Sequence, residues 1–148
     1  MTRLAPITPD TDTEAVMARI AARAADADAG RRDLTDDMVD LRDAGLLDAL
    51  SRPDDPVAAA TLLRRIGRAN LSVGRLAEGH MNALALIRLY GTAEQRERHR
   101  PSGPLLGVWG ADGDPPARIA CREGGQVVLA GGKRFASGLG IVGTAIVT

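Results

Sequence analysis

Aromatic side chains are almost missing from this 148-residue chain, which has one tryptophan, one tyrosine and one phenylalanine. Burial therefore has to rest on leucine, valine, isoleucine and alanine, at roughly 25 cal/mol per Å² of apolar surface removed from water. A single cysteine, Cys121, excludes an internal disulfide and any metal site built from several thiolates. Lysine is equally scarce: Lys133 is the only one, and the remaining basic residues are arginines. Net charge is zero, with 19 basic residues balancing 19 acidic ones. That argues against a general polyanion-binding surface, and so against a nucleic-acid partner, while leaving a local basic patch open. No stretch approaches the roughly 20 apolar residues that span a bilayer. The opening residues, MTRLAPITPDTDTEAV, hold no apolar run of the kind a secretory leader needs. The expectation is a soluble cytoplasmic protein with no membrane partner.

What is present falls into two parts. Residues 1–101 read as helical. After a polar, proline-containing arm (1–12), Val16, Ile20 and Ala24 recur at helical spacing behind Thr13, a candidate N-cap, and Gly30 is a stop. A second helix is predicted over 36–44, with Thr35 as cap and Met38, Val39 and Leu41 inward. GLLDALSRPDD then reads as a connector that buries Leu46 and Leu47. Asp55-Pro56 is an N-cap followed by proline at the first helical position, where the missing N–H costs nothing. A long helix is predicted from Ser72 to Tyr90, apolar at Leu76, Met81, Leu84, Leu86 and Ile87 and closed by Gly91. Thr92 and Gln95 have the spacing of a capping box at the start of a short helix that halts before Pro101.

Residues 102–148 read as a partial β domain. Glycine and proline become frequent, and five short runs favour strands: LLGVWGA, ARIACRE, QVVLA, KRFAS and GTAIVT, with EGG (123–125) as a hairpin turn. The fold class expected is α+β: an N-terminal all-α helical bundle followed by a partial antiparallel β-barrel or sheet. TAIVT is a strand with nothing after it, so the sheet reads as cut off, completed by another chain or belonging to a larger protein.

In this order the elements resemble the N-terminal part of the acyl-CoA dehydrogenase family, flavoproteins that oxidise acyl thioesters. The likeness is carried by LRDAGLLDAL (41–50), by LAEGHMNALALIRLYGTAEQRERHRP (76–101) and by VLAGGKRFASGLGIVGTAIVT (128–148). The last is similar to the family's glycine, lysine, aromatic and hydroxyl pattern. The resemblance implies FAD as cofactor and an acyl-CoA or related small molecule as substrate. It implies Phe135 and Ser137 against the flavin ring, with backbone contacts around Trp109, Gly110 and Ala111. It also implies a homo-oligomer, or a partner chain that supplies the missing domain. Residues i and i+2 of a strand point to one face, so a strand over KRFAS would let Phe135 and Ser137 meet one planar ligand together. Where the family has threonine, glutamate and proline, this chain has Ala111, Asp112 and Gly113. The family's catalytic base lies in a C-terminal helical domain outside these residues, so no catalytic residue is assigned here, and the chain alone is expected to be inactive. Two alternatives remain: a flavin-dependent monooxygenase of the same fold, suggested by VWGAD and FASG, and a non-catalytic truncated partner subunit.

Other residues that carry chemistry have plainer readings. Trp109 is either a wall near the flavin or core filling, and Lys133 reads as structural. His80, inside the long helix among apolar residues, reads as packed and hydrogen-bonded rather than as a base, and His99 as exposed. Neither histidine has a partner at metal-ligand spacing, so no metal site is expected. Cys121 reads as a small core residue or an inert surface thiol. The run RERHR (96–100) could attract the phosphates of CoA or a nucleotide, or be a solvated helix end whose cations meet the negative dipole terminus.

Overall fold

The computed structural model describes residues 11–52, 54–124 and 126–148. The predicted arm falls mainly on residues 1–10, and Gly125 of the EGG turn is a single position; both lie outside the described residues. Six helices come first: α1 (Thr11–Asp28), α2 (Thr35–Asp43), α3 (Leu46–Leu50), α4 (Pro56–Ala69), α5 (Leu71–Tyr90) and α6 (Ala93–Arg98). Four strands follow: β1 (Leu106–Trp109), β2 (Arg118–Glu123), β3 (Gln126–Ala130) and β4 (Thr144–Val147). The class is mixed α and β, as expected, with no closed barrel among the described residues.

Local chemistry sets several of the helix starts. The Asp55 carboxylate accepts from Ala58 N at 2.9 Å, with Pro56 as the first residue of α4. The Thr92–Gln95 capping box forms in both directions, at 2.8 and 3.2 Å. Asn70, 6 % exposed, caps α5 by accepting from Ser72 N and Val73 N, so α5 begins one residue before the predicted start. Two other caps differ from the sequence reading. Thr13 is buried inside α1, which begins at Thr11. Thr35 is the first residue of α2 rather than its cap, because Asp33 Oδ1 takes the Thr35 N–H at 2.9 Å. The predicted connector after Gly45 is a helical turn, α3, burying Leu46, Leu47 and Leu50.

The main core joins Val16 and Ile20 of α1, Met38 and Leu41 of α2, the α3 leucines, Leu62 and Ile66 of α4 and Val73, Leu76 and Ala77 of α5. α4 and α5 approach closely enough that a Cβ on Gly74 would lie 2.9 Å from Gly67 Cα. On α2 the buried face is Asp37, Met38 and Leu41, and Val39 is only half-buried, against the sequence reading. A second small cluster joins Ala83 and Leu84 of α5 to Leu106 of β1, with Val108 and Ile146 partly buried against it. The central helix thus carries the bundle on one side and the first strand pair on another.

The strand order departs from the expected antiparallel sheet. β1 and β4 pair in parallel, Leu106 opposite Thr144 through Trp109 opposite Val147. β2 and β3 form a separate antiparallel hairpin with a bulge between Ile119 and Cys121. KRFAS is not a strand. Among the described residues its bridge pairing is limited to Lys133 with Asp112, beside a second isolated bridge of Gly132 with Pro116. Phe135 has φ of 54°, and Ser137 N donates back to Phe135 O at 2.7 Å. Such a turn points main-chain groups at one another and leaves no ladder for a neighbouring strand.

The loop before Phe135 depends on Gly131, at φ 87°. A Cβ there would lie 2.1 Å from Pro116 O and 2.6 Å from its carbonyl carbon. Gly131→Ala is therefore expected to cost about 2–4 kcal/mol, adding the left-handed penalty to a clash with backbone that has no rotamer by which to yield. Thermal unfolding of the variant checks this; a stability unchanged within about 0.5 kcal/mol would contradict the loop geometry.

Candidate functional site

Three main-chain and side-chain ties gather the residues singled out by the sequence. Trp109 Nε1 donates to Ser137 O at 3.1 Å. Arg134 N donates to Ala111 O at 2.8 Å. The Lys133 ammonium, on a side chain only 7 % exposed, donates to Asp112 Oδ1 at 2.6 Å, to Gly110 O at 3.3 Å and to Thr148 O. All three lysine donors are therefore used within the fold, and one side chain holds the exit of β1, the residue after β4 and the 131–140 loop together. Lys133 is structural, as the sequence suggested, but its three acceptors come from 15 to 23 residues away.

Trp109, Gly110, Ala111, Phe135 and Ser137 thus belong to one neighbourhood, though not through the shared strand face that was expected. Phe135 leaves its ring 85 % exposed, and Ser137 sits in the turn that follows. The Ser137 hydroxyl has only a long contact, 3.5 Å, to Phe135 O. The N–H groups of Gly110 and Ala111 have no acceptor among the described residues. The neighbourhood therefore presents an open aromatic ring, one hydroxyl and two free amide donors. It is not an enclosed pocket: between Arg75, Leu76, Ser137 and Val142 the surface is indented by only about 10 Å³. A larger cavity, about 420 Å³, lies between α5, α6 and β4 and shares none of the five residues. Pocket size alone would choose that cavity, which has an aromatic ring at Tyr90 and hydroxyls at Thr144 and Thr148 in its lining.

His80 is 1 % exposed. Its Nδ1 accepts from Leu106 N at 3.0 Å, which leaves the proton on Nε2, 3.0 Å from Pro101 O. Burial lowers its pKa, against smaller opposing effects of the Pro101 carbonyl and of Asp48. A ring whose acceptor nitrogen is occupied by a main-chain N–H cannot serve as a base, so His80 is the packed, hydrogen-bonded residue the sequence indicated. His99, expected to be exposed, is half-buried. Cys121 is exposed. Among the described residues no group of histidine, cysteine and carboxylates could hold a metal ion, and no helix is long and apolar enough to cross a membrane.

The sequence reading missed an ionic cluster between α1 and α2. Arg23 Nη2 lies 2.7 Å from Asp37 Oδ1 and 2.5 Å from Asp40 Oδ2, and Arg19 Nε lies 3.3 Å from Asp40 Oδ2. The signal was present as Arg19 and Arg23, one helical turn apart, and Asp37 and Asp40, three residues apart. Asp37 is fully buried, and neither of its oxygens has an aligned hydrogen-bond donor among the described residues. Burial therefore outweighs the nearby Arg23 charge and raises its pKa.

No protein-family model matches the chain, and no curated protein matches it either.

Proposed function

We propose that this chain forms one wall of a flavin site in an acyl-CoA dehydrogenase-like protein, with FAD as cofactor and an acyl thioester as substrate. The observation that carries the reading is the convergence of two distant segments, Trp109–Gly110–Ala111 and Phe135–Ala136–Ser137, into one open surface. An aromatic ring exposed to this degree on a chain with three aromatics is poorly placed for stability, because its area stays in water. It is well placed to stack on a planar heterocycle. The Gly110 and Ala111 amides and the Ser137 hydroxyl are the hydrogen-bonding groups left over once internal bonds are made. They suit the polar edge of an isoalloxazine.

FAD, when bound, supplies the hydride acceptor, and the protein groups position it. In this division of labour Phe135 orients the ring plane, Ser137 donates to its edge and Lys133 keeps the two segments in register. Ala111 offers only backbone. The base that removes a proton from the substrate, and the opposite wall of the site, come on this reading from protein beyond these residues.

Titration of the purified protein with FAD tests the proposal through the visible flavin absorbance band. The expected result is a saturable spectral shift, weakened about tenfold in Phe135→Ala, as loss of one stacked ring implies. An unperturbed flavin spectrum, or equal affinity in the variant, would overturn it.

A further inference from the structure

A second region, sharing no residue with the flavin-facing surface, has the makings of a ligand site. A cavity of about 290 Å³ lies where α3, α5 and α6 meet the chain before β1. Leu84, Ile87 and Pro101 give it apolar walls, and Arg88, Arg96 and His99 bring basic groups from two helices, with Ser51 opposite. Arg88 and Ser51 also line an adjoining groove of about 300 Å³.

Charge balance, taken with the cavity lining, points to this place. Many arginines of the helical part are matched: Arg19 and Arg23 with Asp40, Arg31 with Asp26, Arg32 with Asp36, Arg65 with Glu14 and Arg75 with Glu78. The two acidic residues of α6 are also taken, Glu94 by Arg98 and Glu97 by Arg100. Arg64, Arg68, Arg88 and Arg96 have no carboxylate partner among the described residues, and of these four Arg88 and Arg96 line this cavity. Arg96 is held in place by one bond, its Nη1 donating to Gly91 O at 2.6 Å, and its other N–H groups remain available. Cations at a helix end do meet the dipole there. That explains one basic group per end, but not why two helices aim theirs at the same apolar-walled space.

We infer that this cavity binds a small amphipathic anion: a phosphate or carboxylate head taken by Arg88 and Arg96, and a short apolar body against Leu84 and Ile87. A guanidinium fork matches both head groups through paired N–H donors, which an ammonium cannot do. The volume lies at the lower end of ligand pockets and admits a head group with a few carbons, not a nucleotide.

Hexyl phosphate, hexanoate, inorganic phosphate and hexanol are the probes, each titrated into the full chain while the Arg88, Arg96 and His99 resonances are followed by NMR. The expected result is saturable shifts with hexyl phosphate or hexanoate, the tighter of the two identifying the head group. Inorganic phosphate and hexanol each bind at least about tenfold more weakly, a difference of about 1.4 kcal/mol. Arg88→Gln and Arg96→Gln, both at exposed positions, each weaken the better probe about tenfold, whereas Arg118→Gln on β2 does not. Absence of saturable shifts would overturn the inference. So would binding of inorganic phosphate or hexanol as tight as that of the amphipathic probes, or affinity unchanged in both cleft variants.

Discussion

Replacing His80 with leucine is expected to destabilise the protein by about 2–5 kcal/mol. Leucine fits the apolar surroundings but leaves the buried Leu106 N–H and the half-buried Pro101 C=O without this partner, and an orphaned buried group costs about 1–3 kcal/mol. The loss falls where α5 carries β1, so it also loosens the mounting of Trp109 and the residues after it. Chemical denaturation measures the effect; a cost below about 1 kcal/mol would show that His80 is not the bridge its geometry describes. His80→Gln, which retains a donor and an acceptor, is expected to cost much less.

The same residue makes stability depend on pH, with a definite sign. Burial lowers the folded-state pKa of His80 beneath its ordinary value, so the unfolded chain takes up the proton first. The stabilising contribution is fully present above roughly pH 6.5. It declines as pH falls below that value, by up to about 1.4 kcal/mol per pH unit, and levels off once pH passes beneath the folded-state value. The physical cause is double: a charged ring loses hydration, and a proton on Nδ1 confronts the Leu106 N–H. Among neighbouring charges, Asp48 acts the other way and favours protonation. Comparing denaturation midpoints of wild type and His80→Gln between pH 7.5 and 5.5 isolates the effect, because the glutamine variant loses this part of the slope. Identical slopes would refute it.

Arg23→Ala is the second large effect expected, about 3–5 kcal/mol, because it removes the arginine in contact with the buried Asp37 and leaves only the weaker influence of Arg32. Asp37→Asn is expected to cost less, since Arg23 keeps Asp40 at 2.5 Å and its side chain is 23 % exposed. The order of the two costs is the test, and equal or reversed losses would show that Asp37 is not carrying an uncompensated charge. The double substitution Arg23→Met with Asp37→Leu is expected to recover most of the loss, as apolar replacements of buried ion pairs commonly do. The two carboxylates titrate in opposite senses. Asp37 is held above its ordinary value by burial, so its ionisation costs stability as pH rises through its titration. Asp40 is pulled upward by burial but held below its ordinary value by hydrogen bonds from Arg23 and Arg19. Its contribution is lost as pH falls through its folded-state value.

These two sites show where sequence reading reaches and where it stops. The helices were legible because their signals are local. Asp55-Pro56, Thr92 with Gln95, and the apolar spacing of Val16 with Ile20 act within one or two turns, and neighbouring residues supply all the partners needed. The neighbourhood of Trp109 and Phe135 was legible only as a grouping. The expectation that KRFAS is a strand failed because strand formation needs a partner ladder, and the backbone at Phe135 turns away from one. The antiparallel expectation failed for a related reason. Whether β4 meets β1 in parallel is decided by how the intervening hairpin and loop carry the chain back over α5, and no short stretch of residues records that path.

What the amino-acid sequence determined by itself was the succession of a helical part and a strand-forming part, most helix boundaries, His80 as a packed, hydrogen-bonded residue and Lys133 as a structural one. Burial of Asp37, the parallel β1–β4 pair, the turn at Phe135 and the gathering of Arg88 and Arg96 on one cavity were decided by tertiary structure. The reason is range: a cap or an amphipathic face is settled by atoms a few residues apart, whereas each of these features requires groups from different elements to meet. Those meetings are specified by packing between elements: α1 with α2 at Asp37, β1 with β4 over α5, and α5 with α6 at the two arginines.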